Sequence, residues 1–385
     1  MAPTRHSAAI RRLRDYVRIP SVNPMGRADL PESIVGEARL AEHLLEELRG
    51  LRVDARLVGG GDRRSVIGEV HAANATETVL VASHLDTVPV DGMEIEPFDP
   101  VIRDERLLGR GSCDTKAGMA ALVAALEAVL ERGVLRRNLI LVGEADEELS
   151  SIGVRDVLAD LPSERPDWVL ATEPTELAVV HAHKGVVHVR LEAEGRACHA
   201  SDPGAGRNAV LALSRAALAL DGLARRLAER PHPSLGPGTL SIGLMRGGEA
   251  PNVVPDRAHL VADRRLLPGE TLAGARAEVE AALDAAGLAD EVKVAACTLE
   301  KPTLGTPPDH RSVGACRAAL RHAGLAEETA VVAFGTDAGV FEQAGLPGVV
   351  MGPGSIRRAH TAREYVEIAQ VEAMSAFFVA LLAGH

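Results

Sequence analysis

Four short apolar runs in this chain each lead into a histidine or a group of acids. Thr78-Val79-Leu80-Val81-Ala82 leads into Ser83-His84-Leu85-Asp86. Leu139-Ile140-Leu141-Val142 leads into Glu144-Ala145-Asp146-Glu147-Glu148. Trp168-Val169-Leu170-Ala171 leads into Thr172-Glu173-Pro174, and Val349-Val350-Met351 leads through a glycine turn to His360. Imidazoles and carboxylates without thiolates suit two divalent metals of the zinc type. Such a centre turns water into a nucleophile for hydrolysis.

Each residue also has a plainer reading. His84 and Asp86 lie two apart on an extended segment, so their side chains start on one side. Asp86 is placed to orient His84, because a metal-bound imidazole usually has its other nitrogen held by a carboxylate or carbonyl. A histidine and an acid capping a turn is the alternative. Asp114 lies within Gly109-Arg110-Gly111-Ser112-Cys113-Asp114-Thr115-Lys116-Ala117-Gly118, directly before a helical pattern. An N-cap is its ordinary job, but the flanking glycines let backbone approach a crowded site. A phosphate cradle is disfavoured, since the Gly-Lys-Ser/Thr ending is absent. Asp146-Glu147-Glu148 either forms a solvated acidic loop or meets a cation, because adjacent acids beside a buried strand repel strongly. A divalent metal would leave one acid as ligand and a neighbour as base. Glu173 and His360 read singly as a loop acid and a surface histidine.

The elements that must position these groups follow from the apolar pattern. Short apolar runs bounded by turn signals read as buried strands of a parallel sheet. In open α/β sheets, functional groups gather beyond the carboxyl ends of the strands. Thr115 to Leu130 reads as one helix, with Gly133 just past its end. Strand and helix patterns alternate to about Val180, then the texture changes. Val186–Ala193 reads as a strand, Asn208–Glu229 as a helix, Thr239–Gly243 and His259–Ala262 as strands, Thr271–Ala286 as a helix and Glu291–Leu299 as a strand. That order fits a small split β-α-β unit with helices on one face. The expected fold class is therefore α/β. A mostly parallel-sheet catalytic domain (1–180 and 300–385) is interrupted by an α+β, ferredoxin-like insert (181–299).

With 385 residues, two domains is the prior. Aromatics make up only 2%, so Ala, Leu and Val must fill the core. The net charge of -12 argues against a nucleic-acid partner, which needs a basic surface. The opening residues Met1–His6 show no apolar leader, and no apolar segment reaches the roughly 20 residues of a membrane span. Cys113, Cys198, Cys297 and Cys316 form no C-x-x-C pair. Neither a disulfide framework nor a thiolate zinc site is expected, and a reducing cytoplasm is.

Taken in order, the same residues resemble the metallo-aminoacylase and carboxypeptidase family that includes acetylornithine deacetylase, succinyl-diaminopimelate desuccinylase and glutamate-releasing carboxypeptidases. The resemblance runs from Arg18-Ile19-Pro20-Ser21-Val22-Asn23-Pro24 through Ser83–Pro89, the Asp114 segment, Asp146-Glu147-Glu148 and Glu173-Pro174-Thr175 to Ala359–Tyr365. It implies a zinc-exopeptidase-like catalytic domain and a lid and dimerisation insert. Two divalent metals are implied, zinc with cobalt or manganese as alternatives. His84, Asp114 and Glu173 would hold one, and Asp114, Glu148 and His360 the other. Asp86 would orient His84, and Glu147 would be the general base. His199, in Ala197-Cys198-His199-Ala200-Ser201, resembles the family's histidine that reaches across a homodimer to the oxyanion. Asn252, Arg265 (or its neighbour Arg264), Gly354 and Ser355 would bind substrate, the arginine through its fork of donors. Thr115, Ala117 and Cys198 depart from the family's commoner residues. Ala182–Gly185, Arg246-Gly247-Gly248 and Gly352–Ile356 look most like acetylornithine deacetylase. The implied substrate is a small N-acyl amino acid, N-acetylornithine first. A desuccinylase, a carboxypeptidase or dipeptidase, and an inactive metal-bound binding protein are the alternatives.

Overall fold

The computed structural model describes residues 6–162 and 165–385. Met1–Arg5, most of the segment read above for a leader, lie outside the described residues. The chain forms two compact units, Met1–His181 with Thr306–Ala330 and Thr336–His385, and Ala182–Gly305 with Val331–Gly335. The boundary expected at 299/300 falls inside the strand Val292–Lys301.

In the first unit the strands Asn138–Glu144, Thr78–His84, Trp168–Ala171 and Gly348–Val350 lie side by side in that order. All three junctions are parallel, with His84 opposite Glu144, Ala82 opposite Ala171, and Val350 opposite Ala171. These are the four runs that lead into acids and histidines, so parallel pairing brings their carboxyl ends to one edge. Flanking strands such as Arg63–Val70 add on antiparallel.

Strand residues point alternately to two faces, and both faces are buried. Val79, Val81, Leu139, Leu141 and Leu170 pack with the helices Lys116–Arg132 and Ile368–Leu382. Leu80, Ala82, Ile140, Val142 and Val169 pack with Ile152–Asp160 and Ala338–Gln343 on the other face. This explains why the runs are continuous and not alternating in sequence. The Lys116–Arg132 helix is buried along most of its length and ends at Gly133, whose φ of 63° is the left-handed stop a glycine supplies.

The second unit is a four-stranded antiparallel sheet in the order Thr239–Gly247, Arg257–Leu266, Gly185–Glu194, Val292–Lys301. Its two helices, Ala209–Ala228 and Leu272–Ala285, cover the face carrying Val187, Val189, Leu191, Leu260 and Ala262. Asn208 and Thr271 cap them, accepting from the backbone N–H of Leu211 and Gly274. Among the described residues no helix is long and apolar enough to cross a membrane.

Candidate metal centre

Asp114 stands at the centre of the cluster. Its Oδ1 lies 3.1 Å from His84 Nε2 and its Oδ2 lies 3.1 Å from His360 Nε2. His360 Nε2 is also 3.0 Å from Glu148 Oε1, and His84 Nε2 is 4.0 Å from Glu173 Oε2. Donor atoms of His84, Asp114 and Glu148 lie within 4.8 Å of one another. The structure thus brings all five candidate ligands together from four strand ends and one turn. The helix N-cap is Thr115, so the Asp114 carboxylate is free of capping and serves the two histidines. His360 enters with φ 58°, a left-handed conformation that histidine tolerates better than most residues.

Asp86 differs in detail from the sequence expectation. His84 Nδ1 lies 2.9 Å from the Asp86 backbone carbonyl and 3.4 Å from its Oδ1. The carbonyl is the nearer orienting group. The carboxylate is also occupied with the acidic loop, accepting the backbone N–H groups of Glu147 at 3.1 Å and Glu148 at 3.0 Å. Asp146 is held by the Arg63 guanidinium, the Ser150 hydroxyl and the Asn23 amide.

Electrostatics match a site built for cations. Hydrogen bonds to Asp114 and Glu148 raise His360 to about 11. Burial alone would lower His84, but its bonds to Asp114 and Asp86 outweigh that and hold it well above the ordinary value. Burial would raise Asp114, yet the two histidines keep it below the carboxylate range. Burial pushes Glu173 and Glu148 upward. Positive charge is therefore drawn onto the imidazoles of the metal-free protein, and divalent cations would satisfy the same carboxylates. The imidazole and carboxylate donors of His84, Asp114 and Glu148 fit a divalent cation.

Sequence reasoning passed over three supports. Asn23 Nδ2 donates to Asp86 Oδ2 and to Asp146 Oδ1, both at 2.8 Å. Glu364, buried against Arg110 at 2.7 Å, accepts the backbone N–H groups of Cys113 at 2.9 Å and Asp114 at 3.1 Å. Arg110 also donates to the Pro89 carbonyl at 3.1 Å, in the segment after His84. All three lie inside the segments Arg18–Pro24, Gly109–Gly118 and Ala359–Tyr365 that carry the resemblance, but nothing in their local pattern marks the partner each one holds.

The proposed substrate residues fall into two groups. Gly354 and Ser355 line a pocket of about 260 Å³ with Glu176, Arg358 and Tyr365. Ser355 Oγ donates to Glu176 at 2.6 Å. Gly354, at φ 90°, passes so close to Cys113 that a Cβ would lie 2.5 Å from its sulfur. His199, Asn252 and Arg265 belong to the second unit. His199 is exposed, with Nδ1 2.8 Å from Ser201 Oγ. Arg264 is buried and bound to Glu270 and Glu278, whereas Arg265 is partly exposed and paired with Asp263. Of the two arginines, Arg265 is the accessible one. A groove of about 590 Å³ in this unit is lined by Arg246, Gly248, Val253 and Pro255.

A parallel sheet that delivers two histidines and several acids around one carboxylate defines a metal-dependent hydrolase. Comparison with known proteins is specific. The model for peptidase family M20/M25/M40 matches residues 80–384, and the chain belongs to this family. It is 32% identical over 313 residues to acetylornithine deacetylase of Yersinia pseudotuberculosis serotype O:1b (strain IP 31758), covering 80% of this chain and 78% of that one. Its fold is similar to a tripeptidase from Staphylococcus aureus (TM-score 0.80, 20% identity, 98% of this chain and 97% of that one). It is also similar to an M20 family metallo-carboxypeptidase from Sulfolobus solfataricus (TM-score 0.79, 20% identity, 97% and 98%).

Proposed function

We propose that the protein is a two-metal deacylase that cleaves the amide bond of an N-acyl amino acid, with N-acetylornithine as the leading substrate. The observation that carries the hydrolytic reading is Asp114, whose two oxygens face His84 and His360 separately. His84, Asp114 and Glu173 would hold one ion, and Asp114, Glu148 and His360 the second. Zinc is the first candidate, and cobalt or manganese would suit the same donors. Bound there, the ions would polarise the scissile carbonyl and make a shared water acidic.

The chain's own residues supply the rest. Glu147, buried and anchored through its backbone N–H to Asp86, takes the water's proton and delivers it to the leaving amine. Arg265 takes the substrate carboxylate by exchanging its partner Asp263 for the ligand. Asn252, Gly354 and Ser355 complete substrate binding, and His199 stabilises the oxyanion of a substrate held by a second copy.

The dimer this requires is supported by two features of the second unit. The helix Ala209–Ala228 leaves Leu211 and Leu218 62% and 73% exposed. The strand Thr239–Gly247 is an edge of its sheet, and uncovered edges invite pairing. The four cysteines are all free thiols, which suits a cytoplasmic location.

The substrate choice rests on the 32% identity to a named deacetylase. The tripeptidase and carboxypeptidase folds favour a second reading, a peptidase using the same chemistry. The test is to load the protein with zinc, cobalt or manganese and follow amine release from N-acetylornithine, N-succinyl-diaminopimelate and dipeptides. Fastest release from the N-acetyl substrate is expected. Faster cleavage of dipeptides would replace the deacylase by the peptidase. Two bound metals with no turnover would leave a binding protein.

A further inference from the structure

Three buried hydroxyls touch in a chain beneath the metal centre. Thr115 Oγ1 lies 3.0 Å from Ser83 Oγ and 3.1 Å from Thr172 Oγ1. Each of the three residues is no more than 2% exposed. Each is also the immediate sequence neighbour of a candidate ligand, Ser83 of His84, Thr115 of Asp114 and Thr172 of Glu173. The chain therefore ties together the three segments that carry one proposed ligand set.

A hydroxyl has one proton to give and two lone pairs to accept with. The protons can be placed without conflict. Thr172 donates to Thr115, Thr115 donates to Ser83, and Ser83 donates to the Thr115 backbone carbonyl at 3.3 Å. That carbonyl also accepts the Gly118 N–H at 2.9 Å. Gly118 is what allows this approach, since a Cβ there would lie 2.4 Å from Thr172 Oγ1.

A second observation concerns Thr115 itself. It is the N-cap of the helix Lys116–Arg132, where a threonine ordinarily accepts a backbone N–H from the first turn. Here its side chain makes no capping bond. The hydroxyl is spent sideways, on the two strand ends. Ser83 is itself paired in the ladder, opposite Gly143, and Thr172 follows the paired Ala171. The Asp114–Thr115 turn lies outside the ladders, so side-chain bonds must hold it against them.

We propose that Thr115 is a positioning residue, whose hydroxyl sets the placement of Asp114 relative to His84 and Glu173 and so tunes the affinity of the metal they share. This rests on the reading that these three residues ligate one ion. Groups behind metal ligands typically change affinity by about 10–100-fold.

The experiment compares wild type with Thr115→Val, Thr115→Ser, Thr172→Val and His84→Ala. Zinc stoichiometry and affinity are read by competition with a chromophoric chelator, beside thermal unfolding of the metal-free proteins. Thr115→Val should weaken one of two zinc sites about 10-fold or more. Thr115→Ser, which keeps the hydroxyl, should stay within a few-fold of wild type. Thr172→Val interrupts the same chain from its other end and should weaken the same site, which keeps the test open if Thr115→Val fails to fold. The proposal is overturned if the valine variants bind both zinc ions as wild type does. It is equally overturned if Thr115→Ser loses as much affinity as Thr115→Val, because methyl packing would then be the cause. His84→Ala separates the underlying assignment. If it binds two zinc ions with unchanged affinity, the ligand set is wrong and the positioning role falls with it.

Discussion

The Glu364 carboxylate accepts the Asp114 backbone N–H at 3.1 Å, across 250 residues of sequence. Glu364 follows His360 by four positions, so one short segment supplies a candidate ligand and also holds the backbone of the residue that both histidines share. Its counter-ion Arg110 is 4% exposed and reaches the segment after His84. Burying such a pair costs desolvation that its attraction barely repays. Its placement between three ligand-bearing segments is consistent with a role in geometry.

Breaking that pair should be expensive. Glu364→Gln keeps an acceptor for Asp114 but strands the Arg110 charge. A loss on the order of 3 kcal/mol in the metal-free protein is expected, read from urea unfolding midpoints at constant slope. A loss under about 0.5 kcal/mol, the size of an ordinary surface change, would mean that Arg110 finds water or another partner.

Glu147→Gln removes the proposed base and leaves its anchoring N–H to Asp86 intact. Turnover should fall by about 10²–10⁴-fold, with two metals still bound by elemental analysis. Near-normal turnover at saturating metal would assign the proton transfer elsewhere.

A pH effect is expected from Glu37. It is fully buried, and among the described residues neither carboxylate oxygen has a hydrogen-bond partner. Burial, with repulsion from Asp86 added, pushes it up to about 8 from an ordinary 4.5. The folded state thus holds a proton that the unfolded chain releases. Between those two values N binds more protons than U, so stability falls as pH rises. The favourable contribution is complete below 4.5 and gone above about 8. Glu37→Gln, nearly isosteric and never charged, should match wild type near pH 4.5 and be the more stable protein near pH 8. Parallel pH profiles of unfolding free energy for the two proteins would refute this.

Arg264 and Arg265 should separate cleanly. Arg264→Ala empties a buried volume and takes the arginine from Glu270, while Glu278 keeps Arg230, and a loss on the order of 2 kcal/mol is expected from the lost packing. The Arg265–Asp263 pair is partly exposed, so Arg265→Ala should change stability by no more than about 0.5–1 kcal/mol. KM for an N-acyl amino acid should nevertheless rise strongly. An Arg265→Ala enzyme with unchanged KM would remove it from the substrate site.

The strands and helices were legible because burial writes a period into the sequence. Runs apolar at every position occur where a strand is covered on both faces, as at Thr78–His84 and Asn138–Glu144. The second unit showed alternation because helices cover one face of its sheet, as the buried-and-exposed pattern of Gly185–Glu194 records. The segments after Ala82, Val142 and Ala171 were visible for the same reason, since each departs abruptly from an apolar run, whereas Asp114 follows no such run and His360 stands well past Met351. Less legible was the far end of the second unit: the strand Val292–Lys301 runs on past the apolar stretch into charged residues, and the unit continues to Gly305.

By itself, then, the sequence determined which elements form and which residue types sit at their ends, because both depend on local pattern. Only the tertiary structure decided that the four strands are neighbours, that Asp114 serves two histidines and not its own helix, and that Arg264 is spent on Glu270. It also decided the supports: Asn23 between Asp86 and Asp146, Glu364 under Asp114, and Thr115 between Ser83 and Thr172. Those contacts join residues dozens to hundreds of positions apart. They leave no periodicity in the chain, and their partners are chosen only when buried polar groups must be satisfied in a packed interior.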